Sequence, residues 1–446
     1  MEKKRRRWLP GGSAVLPLGF LIIILAGTGL LMLPASSRQG SLGFFDALFT
    51  AVSATCVTGL TVVDTGRWFT DFGHAVLLIL IQIGGLGFMT LASYMFQTMR
   101  RRVSMRDRMV LEETVGRSGS QSAGSIAGAA VKLTLLTEGL GALLLSFRFV
   151  PQFNWGRGIW YAIFHSVSAF CNAGFDLMGG GVSLTDYAGD PLVMGTVMAL
   201  IIIGGLGFIV LQDLRRPKKG RGPEVHTRLV LMMSGGLILG GTLLFLLIEW
   251  NNPGTLGGKS VGEKVLAALF QSVTCRTAGF NSIDQAQLRD ASKALSAALM
   301  FIGAAPAGTA GGIKVTTAAV LFLELRALLR NRQDAEAFGF RVSRDAARRA
   351  LGLFVGAGLL AFASVMVLSL QEPQLSMIDL LYECVSALGT VGLSCGVTAQ
   401  VSLFGRGLLC LLMYVGRIGL LSLLFMLSGQ SRPEVLRRPE GQILIG

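Results

Sequence analysis

Charge is scarce in this chain: only 15% of its 446 residues are Asp, Glu, Lys or Arg, against roughly a quarter in soluble proteins. Histidine is scarcer still. His74, His165 and His226 are dispersed, and no paired carboxylates or nucleophile motif falls inside an apolar segment. A membrane-bound enzyme is therefore a weak reading, with His165, beside Phe164, taken as a packing residue rather than a ligand. The six cysteines are scattered without paired metal spacing, which argues against a disulfide framework and against a metal site. No polar stretch is long enough for a soluble domain, so nothing here can hold a nucleotide in a Rossmann fold. What remains is apolar, 52% hydrophobic, and the composition is that of an all-α membrane protein.

Apolar stretches long enough for the ~20 residues of a spanning helix recur around 13 to 34, 72 to 98, 125 to 150, 192 to 212, 229 to 250, 349 to 370 and 407 to 429. An eighth, around 291 to 329, is interrupted. The first follows "KKRRR" and imitates a secretory signal, but no small-residue cleavage site stands out and retention as a first helix is favoured. A formal net charge of +14 would suggest nucleic acid in a soluble protein, so the placement of the charge decides. Basic residues cluster at Met1 to Arg7, Arg100 to Arg108, Arg215 to Arg221, Arg326 to Arg349 and at Arg432, Arg437 and Arg438, alternating with neutral or acidic segments. The positive-inside rule puts these clusters in the cytoplasm, giving eight transmembrane helices with both ends inside. A nucleic-acid stripe in "RRPKKGR" is the rival reading; no nucleic acid is expected as a partner.

Four short stretches line up: "FTAVSATCVTGLT" from Phe49, "FHSVSAFCNAGFD" from Phe164, "FQSVTCRTAGFN" from Phe270 and "YECVSALGTVGLS" from Tyr382. Each starts on an aromatic, continues with Val-Ser or Val-Thr, and closes on Gly59, Gly174, Gly279 or Gly392. Each is preceded by about 10 to 14 residues that make a half-length helix, too short to cross a bilayer, and so dips in and returns. The irregular backbone that follows is tolerated only where it lines a water-filled or protein-walled cavity. The chain divides accordingly into four pseudo-repeated helix, re-entrant pore loop, helix units around one central pore: residues 1–108, 109–221, 222–340 and 341–446. In the second helix of the units "IGGLGF" occurs at Ile83 and again at Ile203, with "IGAAPAG" and "VGRIGL" at Ile302 and Val415. Close packing by small residues is the favoured reading of Gly84, Gly85, Gly204 and Gly205.

A glycine closing a loop of small residues takes positive φ at little cost and lets the backbone turn its carbonyls inward. Rings of such carbonyls replace the water around a potassium-sized ion. Half-helices aimed at the loops by their C-terminal ends would add a negative dipole end that favours cations. Asp64, Asp176, Asp186, Asp190 and Asp284, just outside, would enrich cations at the mouth or serve only as solvated surface.

At these residues the chain resembles the Ktr/Trk/HKT superfamily of cation transporters: "CVTGLT", "CNAGFD", "CRTAGFN" and "GTVGLS" look like its four selectivity loops, in order. The length is most like the membrane subunit of bacterial Ktr potassium uptake systems. The likeness runs from about Leu16 to Gly429. It implies a filter of backbone carbonyls from Val57, Thr58, Gly59, Asn172, Ala173, Gly174, Thr277, Ala278, Gly279, Thr390, Val391 and Gly392. It also implies potassium as the transported ion, with sodium as a second candidate, and Gly59 rather than serine leans towards potassium. A homodimer in the bacterial inner membrane, under a cytosolic ring of nucleotide-binding regulatory subunits, follows from the same likeness. The basic loops would then be a docking surface, or bind anionic membrane lipid.

In the third unit "GAAPAGTAGGIKVTT", residues 303 to 317, packs Gly303, Pro306, Gly308, Gly311 and Gly312 into what should be a helix. Glycine costs roughly 1 kcal/mol and proline about 3 in a helix interior, so the helix breaks. The stretch lacks the Gly-Lys-Ser/Thr of a nucleotide-binding loop. The resemblance implies an intramembrane gate here, with Gly303, Ala307, Gly308, Thr309, Ala310, Gly311, Gly312 and Lys314; a merely kinked helix is the rival. Lys314 either joins the gate or reaches the cytoplasm.

Arg417 stands where the other units have Gly85, Gly205 and Ala304. An intramembrane charge costs from ~3 to over 10 kcal/mol and nearly always faces a bundle interior or water. At ~22 Å from the helix start near Ser402 it is too deep to snorkel. It is expected to face the pore beneath the filter, as a barrier to cations and a hold on the gate loop's carbonyls; bridging helices through backbone carbonyls is the alternative. The function expected is a channel-like potassium-translocating subunit. A cation-coupled secondary transporter with midplane binding at broken helices is the alternative, which four parallel units rather than two inverted halves disfavour.

Overall fold

A computed structural model describes residues 12–87, 123–215 and 222–420. The basic stretches at 1–7 and 100–108, most of "RRPKKGR" and the arginines of the tail lie outside the described residues. Within them are fifteen α-helices and one hairpin, Glu336–Ala337 against Phe340–Arg341.

The helices fall into four successive groups. The first holds α1 (Gly12–Leu31), α2 (Phe44–Thr55), the single turn α3 (Thr65–Trp68) and α4 (Asp71–Leu86). The second holds α5 (Ala123–Phe153), α6 (Trp155–Phe170), α7 (Pro191–Leu206) and α8 (Phe208–Arg215). The third holds α9 (Val225–Glu249), α10 (Val261–Thr274), α11 (Asp290–Phe301) and α12 (Val315–Leu329), and the fourth α13 (Arg344–Gln371), α14 (Met377–Gly389) and α15 (Leu403–Ile418).

The short helices α2, α6, α10 and α14 have 12, 16, 14 and 13 residues, or roughly 18–24 Å at 1.5 Å each, less than a bilayer core. Local chemistry starts two of them: Ser260 and Glu263 form a capping box on α10, and Ser376 accepts from Asp379 N on α14, each satisfying an orphan N–H. Their far ends are enclosed, Phe49 to Thr55 and Tyr382 to Gly389 being buried throughout.

The second helix of each group packs on the short helix of the next: α4 on α6, α7 on α10, α11 on α14, and α15 back on α2. The chain therefore closes on itself around one axis. Polar contacts tie the same seams at one end. Asp64 Oδ2 accepts from Gly180 N at 2.5 Å, Ser183 Oγ accepts from Asn281 N at 3.1 Å, and Lys293 donates to Asp379 at 2.7 Å. Arg406 donates to Asp46 at 2.8 Å. Apolar side chains instead cover the outside of the first helices, as at Leu136, Leu247 and Leu359, as lipid contact requires.

Among the described residues three helices, Gly128–Phe153, Val225–Glu249 and Arg344–Gln371, are long and apolar enough to cross a membrane unbroken, and α7 with α8 makes a fourth bent by 95°. The continuous spans expected over 72–98, 192–212 and 407–429 are interrupted. Helices α4, α7 and α15 end at Leu86, Leu206 and Ile418, where Gly87, Gly207 and Gly419 take φ of +78°, +83° and +89°. A left-handed residue ends an α-helix however apolar its neighbours are, so hydropathy alone does not reveal the break.

A backbone ring and the loop beneath it

Each short helix ends at one of the four expected loops, with its C-terminal carbonyls buried against them. Val57, Asn172, Thr277 and Thr390 have φ of +57°, +59°, +68° and +51°, and the glycines two residues on, Gly59, Gly174, Gly279 and Gly392, have +92°, +69°, +79° and +94°. A left-handed residue at each end of every tripeptide is costly for a side chain and is imposed here four times over, at corresponding places. The residue between them is tied back to its own helix: Thr58 N to Ser53 O, Ala173 N to Ser168 O and Val391 N to Ser386 O, each at 2.8 Å, and Ala278 N to Thr274 O at 3.0 Å.

The glycines meet around the axis. A Cβ at Gly59 would lie 2.5 Å from Ala173 O, and one at Gly174 would lie 2.8 Å from Ala278 O. One at Gly279 would run into Val391 O, and one at Gly392 into Thr58 O. Each glycine thus faces the preceding carbonyl of the next loop, and the fourth faces the first. Any other residue would push the ring apart.

The hydroxyl of the repeated Val-Ser or Val-Thr holds each loop in one of two ways. Ser53 Oγ accepts from Gly59 N at 3.1 Å and Ser386 Oγ from Gly392 N at 3.0 Å, whereas Ser168 and Thr274 donate to Phe175 O and Phe280 O at 2.7 Å. These four residues were visible in the repeat but carried no role in the sequence reading. Ser53→Ala strands a buried N–H, which costs about 1–3 kcal/mol. Its thermal unfolding midpoint in detergent is expected below that of the parent, with Ser53→Thr close to the parent; an unchanged midpoint for Ser53→Ala would show that the latch is dispensable. His165 is more than packing: fully buried, its Nε2 accepts from Leu177 N at 3.4 Å and its Nδ1 donates to Tyr161 O at 2.7 Å.

On one side of the ring opens a cavity of about 790 Å³ whose walls include the four glycines, Asp64, Asp176 and Asp284. Asp186 and Asp190, expected at the same mouth, do not line it. Asp190 caps α7 through Leu192 N and Val193 N and pairs with Arg148 at 2.8 Å, so its charge is committed to a helix end.

On the other side lies the irregular stretch between α11 and α12. Helix ends leave their last carbonyls without partners, and two of the broken helices, α7 and α15, present such carbonyls to this stretch. The loop satisfies them: Ala305 N donates to Gly205 O at 3.0 Å, Thr309 N to Gly204 O at 3.3 Å and Gly312 N to Gly416 O at 3.1 Å. Gly84, Gly204 and Gly416 also sit against Thr55 O, Phe170 O and Leu388 O, where a Cβ would not fit. The small residues of "GGLGF" therefore pack closely, as expected, and serve as loop anchors as well. Above the loop, the Thr390 side chain fills the space a Cβ would need at Gly311, and Thr277 Cγ2 comes within 3.5 Å of the corresponding position at Gly303.

Arg417, half-buried, donates to Thr309 O in the loop and to Gly84 O, and at 3.4 Å to Gly85 O, at the end of α4. One guanidinium thus holds a loop carbonyl and bridges two helices through backbone carbonyls. Lys314 does not reach outward. Its Nζ folds back onto Ala310 O at 2.7 Å and Gly311 O at 3.4 Å. Three successive loop carbonyls, at 309, 310 and 311, are thus occupied by the side chains of Arg417 and Lys314. Gly303, Ala307 and Gly308 shape the path, Ala307 with φ of +56° and its carbonyl accepting from Phe208 N at 3.0 Å.

Among the described residues no group of three His, Cys, Asp or Glu side chains could hold a metal ion. Residues 18–431 match the TrkH family, described as a cation transport protein. The chain is 40% identical over 450 residues to the potassium/sodium uptake protein NtpJ of Enterococcus hirae, covering 100% of this chain and 99% of that one. It is 39% identical to the Ktr system potassium uptake protein B of Bacillus subtilis, over 97% of this chain and 96% of that one, and 39% identical to the protein of the same name from Vibrio alginolyticus, over 100% and 97%. The backbone is similar to the crystal structure of the potassium transporter TrkH from Vibrio parahaemolyticus, with a TM-score of 0.73 at 20% identity, covering 96% of this chain and 86% of that one. With the family matched over nearly its whole length and relatives near 40% identity, the chain belongs to the TrkH family of cation transport proteins.

Proposed function

We propose that the chain is the ion-translocating subunit of a potassium uptake system of the Ktr type, with the ring of four loops as its selectivity filter and residues 303–317 as its gate. The single observation that carries this is the closed circle in which each filter glycine faces the preceding carbonyl of the next loop, a geometry suited to replacing an ion's hydration shell. The buried C-terminal ends of α2, α6, α10 and α14 favour a cation at the same place, and the acidic cavity outside supplies it. The loop beneath, tied to Gly204, Gly205 and Gly416 and pinned by Arg417, obstructs the path until it moves. Relatives named for potassium or potassium/sodium uptake support potassium as the ion; the chain is a transporter and not an enzyme.

The same reading makes the chain a multi-pass protein of the bacterial inner membrane with both ends cytoplasmic, working as a homodimer. Its basic loops receive a cytosolic, nucleotide-binding regulatory ring. The 95° bend between α7 and α8 favours one competing reading, a secondary transporter with midplane binding at broken helices. Growth on low potassium and rubidium uptake in a host lacking its own potassium uptake systems, with and without the cytosolic partner, tests the function. Growth rescued by the chain with its partner, and uptake into liposomes driven by membrane potential alone, are the expected results. Uptake that requires a sodium gradient would favour the competing reading instead.

A further inference from the structure

A carboxyl group is buried in the middle of the membrane-crossing part of α5, and among the described residues no cation pairs with it. Glu138 is 6% exposed, and its side-chain oxygens are divided between two other elements. Oε2 accepts from Gln82 Nε2 of α4 at 3.2 Å, and Oε1 accepts from Cys171 Sγ, at the end of α6, at 3.8 Å. Its backbone carbonyl accepts from Ser166 Oγ of α6 at 2.6 Å. An ionisable group at this depth is expensive and is kept for a use.

The two elements it joins lead in different directions. Gln82 lies two residues before Gly84, whose carbonyl accepts from Arg417. Cys171 immediately precedes Asn172, the first left-handed residue of the second filter loop. The two also touch each other. Cys171 Sγ is 3.7 Å from Gln82 Oε1, and it fills the notch at Gly85, lying 2.5 Å from where a Cβ would be. A shift of Gln82 therefore moves the carbonyls that hold Arg417, and a shift of Cys171 moves the filter.

We propose that Glu138 is a positioning residue that sets the second filter loop and the Gly84–Gly85 anchor of Arg417 together, so that filter geometry and gate closure depend on one side chain touching neither ion nor gate loop. The inference rests on the filter and gate reading above. Its chemistry asks for an acceptor oxygen facing Gln82 rather than for a charge, because the partner is a neutral amide. Glu138→Gln keeps such an oxygen and is expected to behave like the parent. Glu138→Leu keeps the bulk, loses both acceptors and strands the Gln82 N–H in an apolar wall, worth a factor of about five to ten in a coupled equilibrium.

The experiment compares Glu138→Leu, Glu138→Gln, the exchanged pair Gln82→Glu with Glu138→Gln, and Arg417→Ala, all folded by size-exclusion chromatography and thermal melt. Rubidium leak into liposomes without the partner and rubidium-over-sodium discrimination are the readouts. Glu138→Leu is expected to leak about five- to tenfold faster and to discriminate less, with the exchanged pair near the parent in both. Arg417→Ala is expected to leak while still discriminating. Parental leak and discrimination in a folded Glu138→Leu overturns the inference, as does an equal loss in Glu138→Gln. If Arg417→Ala does not leak, the gate reading falls and takes the gate half of the inference with it, while lost discrimination in Glu138→Leu that Glu138→Gln does not share upholds the half that concerns the second filter loop.

Discussion

Arg417→Ala should carry potassium without its cytosolic partner at a rate the parent reaches only with it. The substitution removes the donors to Thr309 O, Gly84 O and Gly85 O, and hydrogen bonds from a charged group are worth about 1.5–3 kcal/mol each. Losing one such bond from the closed arrangement raises the open population roughly 10- to 100-fold. On the proposed gate reading it also takes a fixed positive charge out of the path. Arg417→Lys should fall between, because a single ammonium cannot hold two separate carbonyl groups as a planar fork does. Deletions within Ala307 to Gly312 should leak likewise. Liposome flux measured without the partner is the check; a folded Arg417→Ala with parental flux would mean that the loop is no barrier.

Gly392→Ala should abolish uptake, and the cause can be isolated. Gly392 has φ of +94° and a Cβ there would run into Thr58 O, across the seam where the fourth loop meets the first. Gly396, four residues on, has a similar φ of +84° but open space around it. Both alanine variants bear the backbone strain of about 1–2 kcal/mol, but only Gly392→Ala forces the ring open. Gly396→Ala should therefore retain uptake in the deficient host while Gly392→Ala does not. Serine at Gly59, Gly174 or Gly279 adds the same atom at neighbouring seams and should weaken uptake or the preference over sodium. Equal activity in Gly392→Ala and Gly396→Ala would show that the ring is not the permeation path.

The four loops were legible because their chemistry is local: an aromatic, a hydroxyl and a glycine, the aromatic ten residues before the glycine in three copies and nine in the third, mark a short helix and a backbone that must turn. The breaks at Gly87, Gly207 and Gly419 were not. The apolar runs continue through them, and hydropathy does not register a left-handed φ. Their consequence, carbonyls at Gly204, Gly205 and Gly416 taken by a single loop and those at Gly84 and Gly85 taken by Arg417, depends on three helix ends converging from separate units. Arg417 was identifiable by cost alone, since an unexplained charge in an apolar helix needs a partner. That its partners lie in the first and third units, near positions 84 and 309, is a property of the closed ring and not of its own neighbourhood. Asp190 shows the opposite error: an acidic residue near a pore loop looked like part of the mouth, but a proline at the first position of α7 already marked it as a helix cap. Glu138 was passed over inside an apolar stretch, although depth and charge raise the same question there as at Arg417.

The most direct test is to find the ions. Crystals grown or soaked in rubidium or thallium salts should show anomalous density on the axis, among the carbonyls of Thr58, Ala173, Ala278 and Val391, and none within the loop between Gly303 and Lys314. Density confined to the bend at Gly207 or to the midplane away from that axis, with the ring empty, would contradict the filter and favour a binding site at the broken helices.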